Sequence, residues 1–195
     1  MVSLKTKTYS ILIVSNGQVF NSALSSLLPE ARFNLIRTVS SISAAKRILS
    51  DHDMDFIVIN SPLPDDIGSR FAIDMCNTSG TVVLFMVKAD ILNETFERVY
   101  EHGVYTLPKP TSKPTLTTAL NWMATTRERL RKTEKKTVSL EEKMEEIKVI
   151  NRAKWLLIGE TDMSEAEAHR YIDKQAMDRC VPRIQIAKEI IEEHS

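Results

Sequence analysis

The stretch Asp55-Phe-Ile-Val-Ile-Asn-Ser-Pro-Leu-Pro-Asp-Asp-Ile-Gly68 places a continuous apolar run, residues 56–59, directly before a loop of Ser, Pro, Asp and Gly. Successive side chains alternate faces along a strand, so four apolar residues in a row indicate a strand covered on both sides. Similar short runs occur at residues 9–14, 33–36, 82–86 and 104–107. Between them lie helical patterns: 17–28, with Val19, Phe20, Ala23, Leu24 and Leu27; 41–50, with Ile42, Ala45, Ile48 and Leu49; 66–77; and 89–102. Buried strands alternating with amphipathic helices predict an α/β fold, a doubly wound sheet of five parallel strands.

The carboxyl ends of the predicted strands narrow the fold further. The segment 55–68, together with Gly103-Val-Tyr-Thr-Leu-Pro-Lys-Pro110, resembles the third and fifth strands, with their loops, of a response-regulator receiver. The resemblance covers residues 8 to 122 and implies a flavodoxin-like strand order with the working pocket at the strand ends. In that family an acidic pair follows the first strand, where this chain has Ser15 and Asn16. The phosphoacceptor aspartate position is held by Asn60, and the hydroxyl position ending the fourth strand by Met86. Only Lys109, in its Lys-Pro setting, matches. An amide is a poor nucleophile, and Mg²⁺ sites use carboxylates and water. A pseudo-receiver that does not take up phosphate is therefore expected, with a protein or a small ligand as the possible signal at the degenerate pocket. The switch-aromatic position falls on Thr106, one residue after Tyr105. Asp65 and Asp66 are nearby carboxylates, read most simply as turn and helix-cap residues.

Composition excludes several classes. The 195 residues are 43% hydrophobic and 27% charged with no net charge, as expected of a cytoplasmic protein with one ordinary domain and a smaller one. No apolar run reaches the ~20 residues of a membrane span, and no secretory core follows the N-terminal charges. Cys76 and Cys180 lack the spacing of a disulfide framework or zinc site. There is no Gly-rich phosphate loop, and His52, His102, His169 and His194 are scattered, so no enzyme, metal or cofactor is expected.

After Pro114 no proline or glycine interrupts the chain until Gly159, which predicts one long helix. Met123, Leu130, Thr137 and Met144 recur every seventh residue, with Thr126, Thr133, Leu140 and Ile147 between them. That spacing predicts a parallel homodimeric coiled coil over residues 123–148, weak at its threonines. Within it, Arg127–Lys136 holds six basic and two acidic residues, read as a solvated helix face or a phosphate contact.

The last third carries Asn151-Arg-Ala-Lys-Trp-Leu-Leu-Ile158, Ser164-Glu-Ala-Glu-Ala168, Ala176-Met177 and Ala187-Lys-Glu-Ile-Ile191. Ser164 and Glu167 form a capping-box pattern for a second helix; Gly159 is expected to end the first, and Pro182 to take N1 of a third. Ile150, Ala153 and Leu157, then Ala168, Ile172 and Ala176, then Ala187, Ile190 and Ile191 supply one apolar face each for a small all-α, three-helix domain. In this order and spacing the pieces resemble the ANTAR domain, an RNA-binding module of transcription antitermination regulators. Three parts follow: receiver-like 1–122, coiled-coil linker 123–148 and ANTAR-like 149–195.

The resemblance implies a homodimeric regulator that binds paired stem-loops in leader RNA and prevents a terminator hairpin. Ala153, Lys154, Ala176 and Met177 fall on the family motif. Arg152, Lys154, Arg170, Lys174, Arg179 and Arg183 are the expected RNA-binding residues. Residues 137–195 hold nine Lys or Arg against thirteen Asp or Glu, net −4, so binding requires these cations to gather on one face. Two other readings stand beside this one. The chain could be an interaction or ligand-sensing protein whose helical tail only dimerises, or a DNA-binding response regulator. The apolar 183–191 segment lacks the base-reading side chains of the latter.

Overall fold

The computed structural model describes residues 7–78 and 80–194. Five parallel strands, β1 (Tyr9–Val14), β2 (Phe33–Val39), β3 (Phe56–Asn60), β4 (Val82–Lys88) and β5 (Tyr105–Lys109), lie in the order β2-β1-β3-β4-β5. This is the flavodoxin-like order, which places the switch point between β1 and β3. Around the sheet run α1 (Gln18–Ser25), α2 (Ile42–Asp51), α3 (Ser69–Thr78) and α4 (Leu92–Val99), the last flanked by 3₁₀ turns at Ala89–Ile91 and Tyr100–His102.

Strand alternation divides the core in two. Ile11, Ile13, Phe56, Val58, Leu84 and Met86 pack with Leu24 of α1 and with Leu116, Leu120 and Met123 of the long helix α5 (Lys113–Thr161). Leu12, Val14, Ile57, Ile59, Phe85 and Val87 pack on the other side with Ile42, Ala45, Phe71, Ala72 and Val99. The continuous apolar runs of β1, β3 and β4 are thus buried on both faces, as expected, whereas those of the edge strands β2 and β5 are only partly buried. Strand β2 extends three residues beyond its apolar run because its ladder with β1 continues to Val39, where Ser15 N donates to the carbonyl at 2.8 Å. Along the sheet edge Arg37 and Thr38 remain exposed, so hydrophobicity did not mark that end.

Two compact units divide the chain, the first ending at Arg131 and the second beginning at Lys132. The start of α5 belongs to the first. Met123 is fully buried in the sheet core and Leu130 packs against it. Thr126 Oγ1 lies 2.7 Å from Tyr105 Oη. Asp55, at the start of β3, accepts from Arg127 Nε at 2.8 Å, Arg131 at 2.7 Å and Ser10 N at 3.0 Å. Arg131 also lies over the Tyr9 ring at 5.2 Å. The heptad positions Met123, Thr126 and Leu130 are therefore occupied within the first unit, and an intermolecular seam has only the later positions to use. Part of the basic run 127–136 is consumed the same way.

The second unit packs α5 against α6 (Glu165–Asp178) and α7 (Arg183–Glu193) around Ala153, Leu157, Ala168, Ile172, Ala176, Ile186, Ala187 and Ile190. The Ser164–Glu167 capping box forms, and Pro182 stands at the N-cap of α7, one residue before the expected N1. Gly159 does not end α5. The helix runs on to Thr161, and Asp162 adopts the left-handed turn at φ 55°. Helix α6 ends in a Schellman arrangement, with Val181 N donating to Ala176 O and Cys180 N to Met177 O, so Cys180 takes φ 53°.

Glycine thus occupies a helix interior while cysteine occupies a left-handed cap. A Cβ at Gly159 would meet nothing within 4 Å. Gly159→Ala and Cys180→Gly are each expected to raise unfolding free energy by about 0.5–1 kcal/mol, read by urea denaturation of the full chain. A loss of stability in either would contradict a helical backbone at Gly159 or a left-handed one at Cys180. The other thiol, Cys76, is pushed up to about 11 by burial, which suppresses its thiolate at neutral pH.

Candidate nucleic-acid interface and strand-end pocket

At the carboxyl ends of the strands, Ser15, Asn60 and Lys109 form one connected set. Asn60 Nδ2 donates to Ser15 Oγ at 2.9 Å, and Gly17 N donates to the same hydroxyl at 3.1 Å. Lys109 Nζ donates to Asn60 Oδ1 at 2.7 Å and also to the Ser61 carbonyl. Ser15 and Asn60 are buried, Asn16 is exposed, and Met86 pairs with Asn60 across the β3–β4 ladder as a buried thioether.

These groups do not fit a Mg²⁺ ion. Ser15, Asn16 and Asn60 are neutral, and the Ser15 hydroxyl and the Asn60 amide oxygen already accept protein hydrogen bonds. The two loop acids are engaged elsewhere. Asp65 accepts from Ile42 N at 3.1 Å and from Ser43 N at 2.9 Å at the start of α2, and Asp66 accepts from Gly68 N at 2.6 Å. The Ser43 backbone N–H is the main cause holding the Asp65 carboxyl below its ordinary pKa. Burial pushes the lysine ammonium of Lys109 down in pKa, and the charge of Lys88 adds to this.

The six cations expected to bind RNA, all in the second unit, fall into two groups. Lys154 pairs with Glu165 at 3.1 Å, and Arg179 pairs with Glu189 through two contacts, one at 3.0 Å. Arg183 Nε stands 2.9 Å from Asp173 Oδ1, an ion pair rather than a well-aligned hydrogen bond. Among the described residues Arg152, Arg170 and Lys174 make no ion pair of this kind, and all three are exposed. At about 100° per residue, Arg170, Lys174 and Met177 lie within about 60° of one another on α6, roughly opposite the buried Ala168, Ile172 and Ala176. Met177, which falls on the family motif, is 77% exposed.

On α5, Trp155 is 71% exposed and borders a cavity of ≈ 360 Å³ with Asn151, Lys154, Ile158, Met163, Ser164 and Glu165. Charge counting did not find this cavity. Its sequence signal was Trp155 itself, a large aromatic on the helix side away from Ala153 and Leu157.

Residues 139–191 match the family described as the ANTAR domain. The C-terminal unit carries an ANTAR domain. Over 183 residues the chain is 22% identical to "Transcriptional regulatory protein PdtaR" of Mycobacterium tuberculosis, covering 93% of this chain and 89% of that one. Over 129 residues it is 30% identical to the "Aliphatic amidase regulator" of Pseudomonas aeruginosa, 65% of this chain and 63% of that one. The first unit superposes on the signal receiver domain of an HD domain-containing protein from Pseudomonas fluorescens with a TM-score of 0.58 at 18% identity, covering 68% of this chain and 97% of that one. It also matches the receiver domain of the response regulator TorR, with a TM-score of 0.53 at 17% identity over 60% of this chain and 96% of that one. The structural likenesses concern fold alone. The protein thus joins a receiver-like domain to an ANTAR domain, and its sequence relatives are named as regulators. Among the described residues no helix is long and apolar enough to cross a membrane.

In the ANTAR domain the motif residues divide by role. Ala153 and Ala176 are core residues at helix contacts, whereas Lys154 is largely buried and pairs with the exposed Glu165. Of the six expected RNA-binding residues, Arg152, Arg170 and Lys174 are exposed without an ion pair among the described residues. Lys154, Arg179 and Arg183 are held by carboxylates.

Proposed function

We propose that this protein is a transcription antitermination regulator that binds paired stem-loops in nascent leader RNA through its ANTAR domain and keeps a terminator hairpin from forming. The observation that carries the reading is the outward face of α6, where Arg170 and Lys174 stand without ion-pair partners among the described residues, in a segment, 137–195, of net charge −4. Acidic surroundings oppose diffuse attraction to phosphates, so binding depends on a local patch and on planar groups that can meet unpaired loop bases. Trp155 and the guanidinium groups of Arg152 and Arg170 supply such planes.

The working form is a homodimer. Leu140, Met144 and Ile147 are each more than half exposed on one stripe of α5, with Thr137 before them and Asn151 after them at heptad spacing. Asparagine at a single a position favours a parallel, in-register pair. The receiver-like domain does not use aspartyl phosphorylation, a reading supported by Asn60 in the acceptor position and by the closed Ser15–Asn60–Lys109 set. Binding is therefore independent of a phosphodonor.

The test is binding of the full chain to a paired stem-loop leader RNA at stated salt, with loop-substituted RNA and duplex DNA as competitors. Loop-dependent binding without phosphodonor is expected. The double charge reversal Arg170→Glu with Lys174→Glu should weaken it about 30- to 100-fold, roughly 2–3 kcal/mol, with an unchanged urea midpoint. Equal affinity for duplex DNA, or an unaffected double variant, removes this interface.

A further inference from the structure

The strand-end pocket opens into a cavity of ≈ 590 Å³ between α1 and the start of α5. Phe20 and Ala23 of α1, Leu27 in the turn after it and Leu116 of α5 form its walls, Met86 its floor, and Lys109 stands at the strand end. Lys113, in the first turn of α5, also borders it, and among the described residues no carboxylate does. Among the described residues neither lysine has an ion-pair partner. The ammonium of Lys109 has three N–H donors, of which Asn60 Oδ1 and the Ser61 carbonyl take two.

A mostly apolar cavity of this size, with convergent polar groups at one end, has the form of a small-molecule site. Its lone cationic end selects an anion, because a partly desolvated cation gains most from an opposite charge. Its walls select against a small inorganic ion, which would leave Phe20, Ala23, Leu27 and Leu116 wet. The lowered pKa of Lys109, caused first by burial and then by Lys88, is relieved by such an anion.

We propose that this cavity binds a small organic monocarboxylic acid, its carboxylate on Lys109 and its apolar body between α1 and α5. Replacement of the receiver's acidic residues by Ser15, Asn16 and Asn60 removes the negative charge that would repel the carboxylate. Met86, in place of a hydroxyl residue, provides an apolar floor. The same four departures that end phosphate chemistry thus create a site for an amphipathic acid. This inference does not depend on RNA binding.

The experiment uses the purified full chain in thermal denaturation and calorimetry, with phenylacetate, 4-phenylbutyrate and octanoate as probes, each beside its neutral amide, and inorganic phosphate as a small-anion control. At millimolar concentration at least one acid is expected to raise Tm by about 2–4 °C, with its amide and phosphate at least about tenfold weaker. Lys109→Met keeps an apolar stem but removes the charge, and should abolish the preference for acid over amide. Ala23→Phe fills the cavity away from the polar end and should weaken acids and amides together. The proposal is overturned if no acid shifts the wild type, if acid and amide act alike on it, or if both variants retain wild-type response. No RNA is present, so failure here is separate from failure of the antitermination reading.

Discussion

Met144→Asp combined with Ile147→Asp is expected to convert the protein from dimer to monomer, with a loss of self-association of about 10³-fold or more. Both side chains lie more than half exposed on the α5 stripe, away from the Ala153 and Leu157 core face, so the folded chain tolerates the change. Each apolar side chain buried in a seam contributes about 1.5–3 kcal/mol, and a parallel pair buries four from these two positions. The variant loses that burial and places like charges opposite one another. Sedimentation equilibrium of wild type and variant reads the mass directly, and far-UV circular dichroism should report unchanged helix. RNA affinity should fall with dimerisation by about 10²-fold or more, because two linked domains raise the effective concentration of the second contact. A wild type that is monomeric at tens of micromolar, or a variant that stays dimeric, sinks the seam.

Asp55→Asn is expected to cost about 2–3 kcal/mol of unfolding free energy at pH 7. Removing one carboxylate from a largely buried ion-pair cluster is costly, and here two guanidinium groups, Arg127 and Arg131, lose their shared carboxylate while Arg131 keeps Glu128. The cost lies below the fully buried range because the three side chains retain some exposure, up to 27% for Arg131. The pH dependence has a definite sign. Burial pushes the Asp55 carboxyl up, but hydrogen bonds from Arg127 and Ser10 and the charges of Arg131 and Arg127 outweigh it and hold the pKa below the ordinary value. A depressed carboxylate contributes stability that is present above its unfolded pKa, about 3.9, and lost as pH falls through the folded value. The difference between wild type and Asp55→Asn should therefore be full at pH 7 and shrink below about pH 4. Urea denaturation across that range reads it, and a difference independent of pH would assign the effect to packing.

Much of the fold was legible because apolar runs and amphipathic patterns report burial directly. The strand core at 9–14, 56–59 and 82–86 and the capping box at Ser164 and Glu167 are local features, and the structure places them as expected. The departures at Ser15, Asn16, Asn60 and Met86 were legible as well, since each is a residue identity at a fixed motif position. Gly159 misled because a glycine cap depends on which residue takes the left-handed turn, and here Asp162 does. The heptad misled at Met123 and Leu130 because a seven-residue apolar repeat is the same whether a sheet or a second helix covers it.

Charge was least legible. Six cations stood out in the last third, but Lys154, Arg179 and Arg183 meet Glu165, Glu189 and Asp173, each ten or eleven residues away and on another helix or cap. Helical spacing of three or four residues cannot reveal such pairs. The sequence by itself determined the strand and helix types, the loss of the acidic pocket and the three apolar faces of the ANTAR domain, because these follow from side-chain identity and local periodicity. Only the tertiary structure decided which cations remain unpaired, that the first turns of α5 belong to the sheet domain, and that Lys109 faces an apolar cavity, because each depends on which distant segments folding brings together.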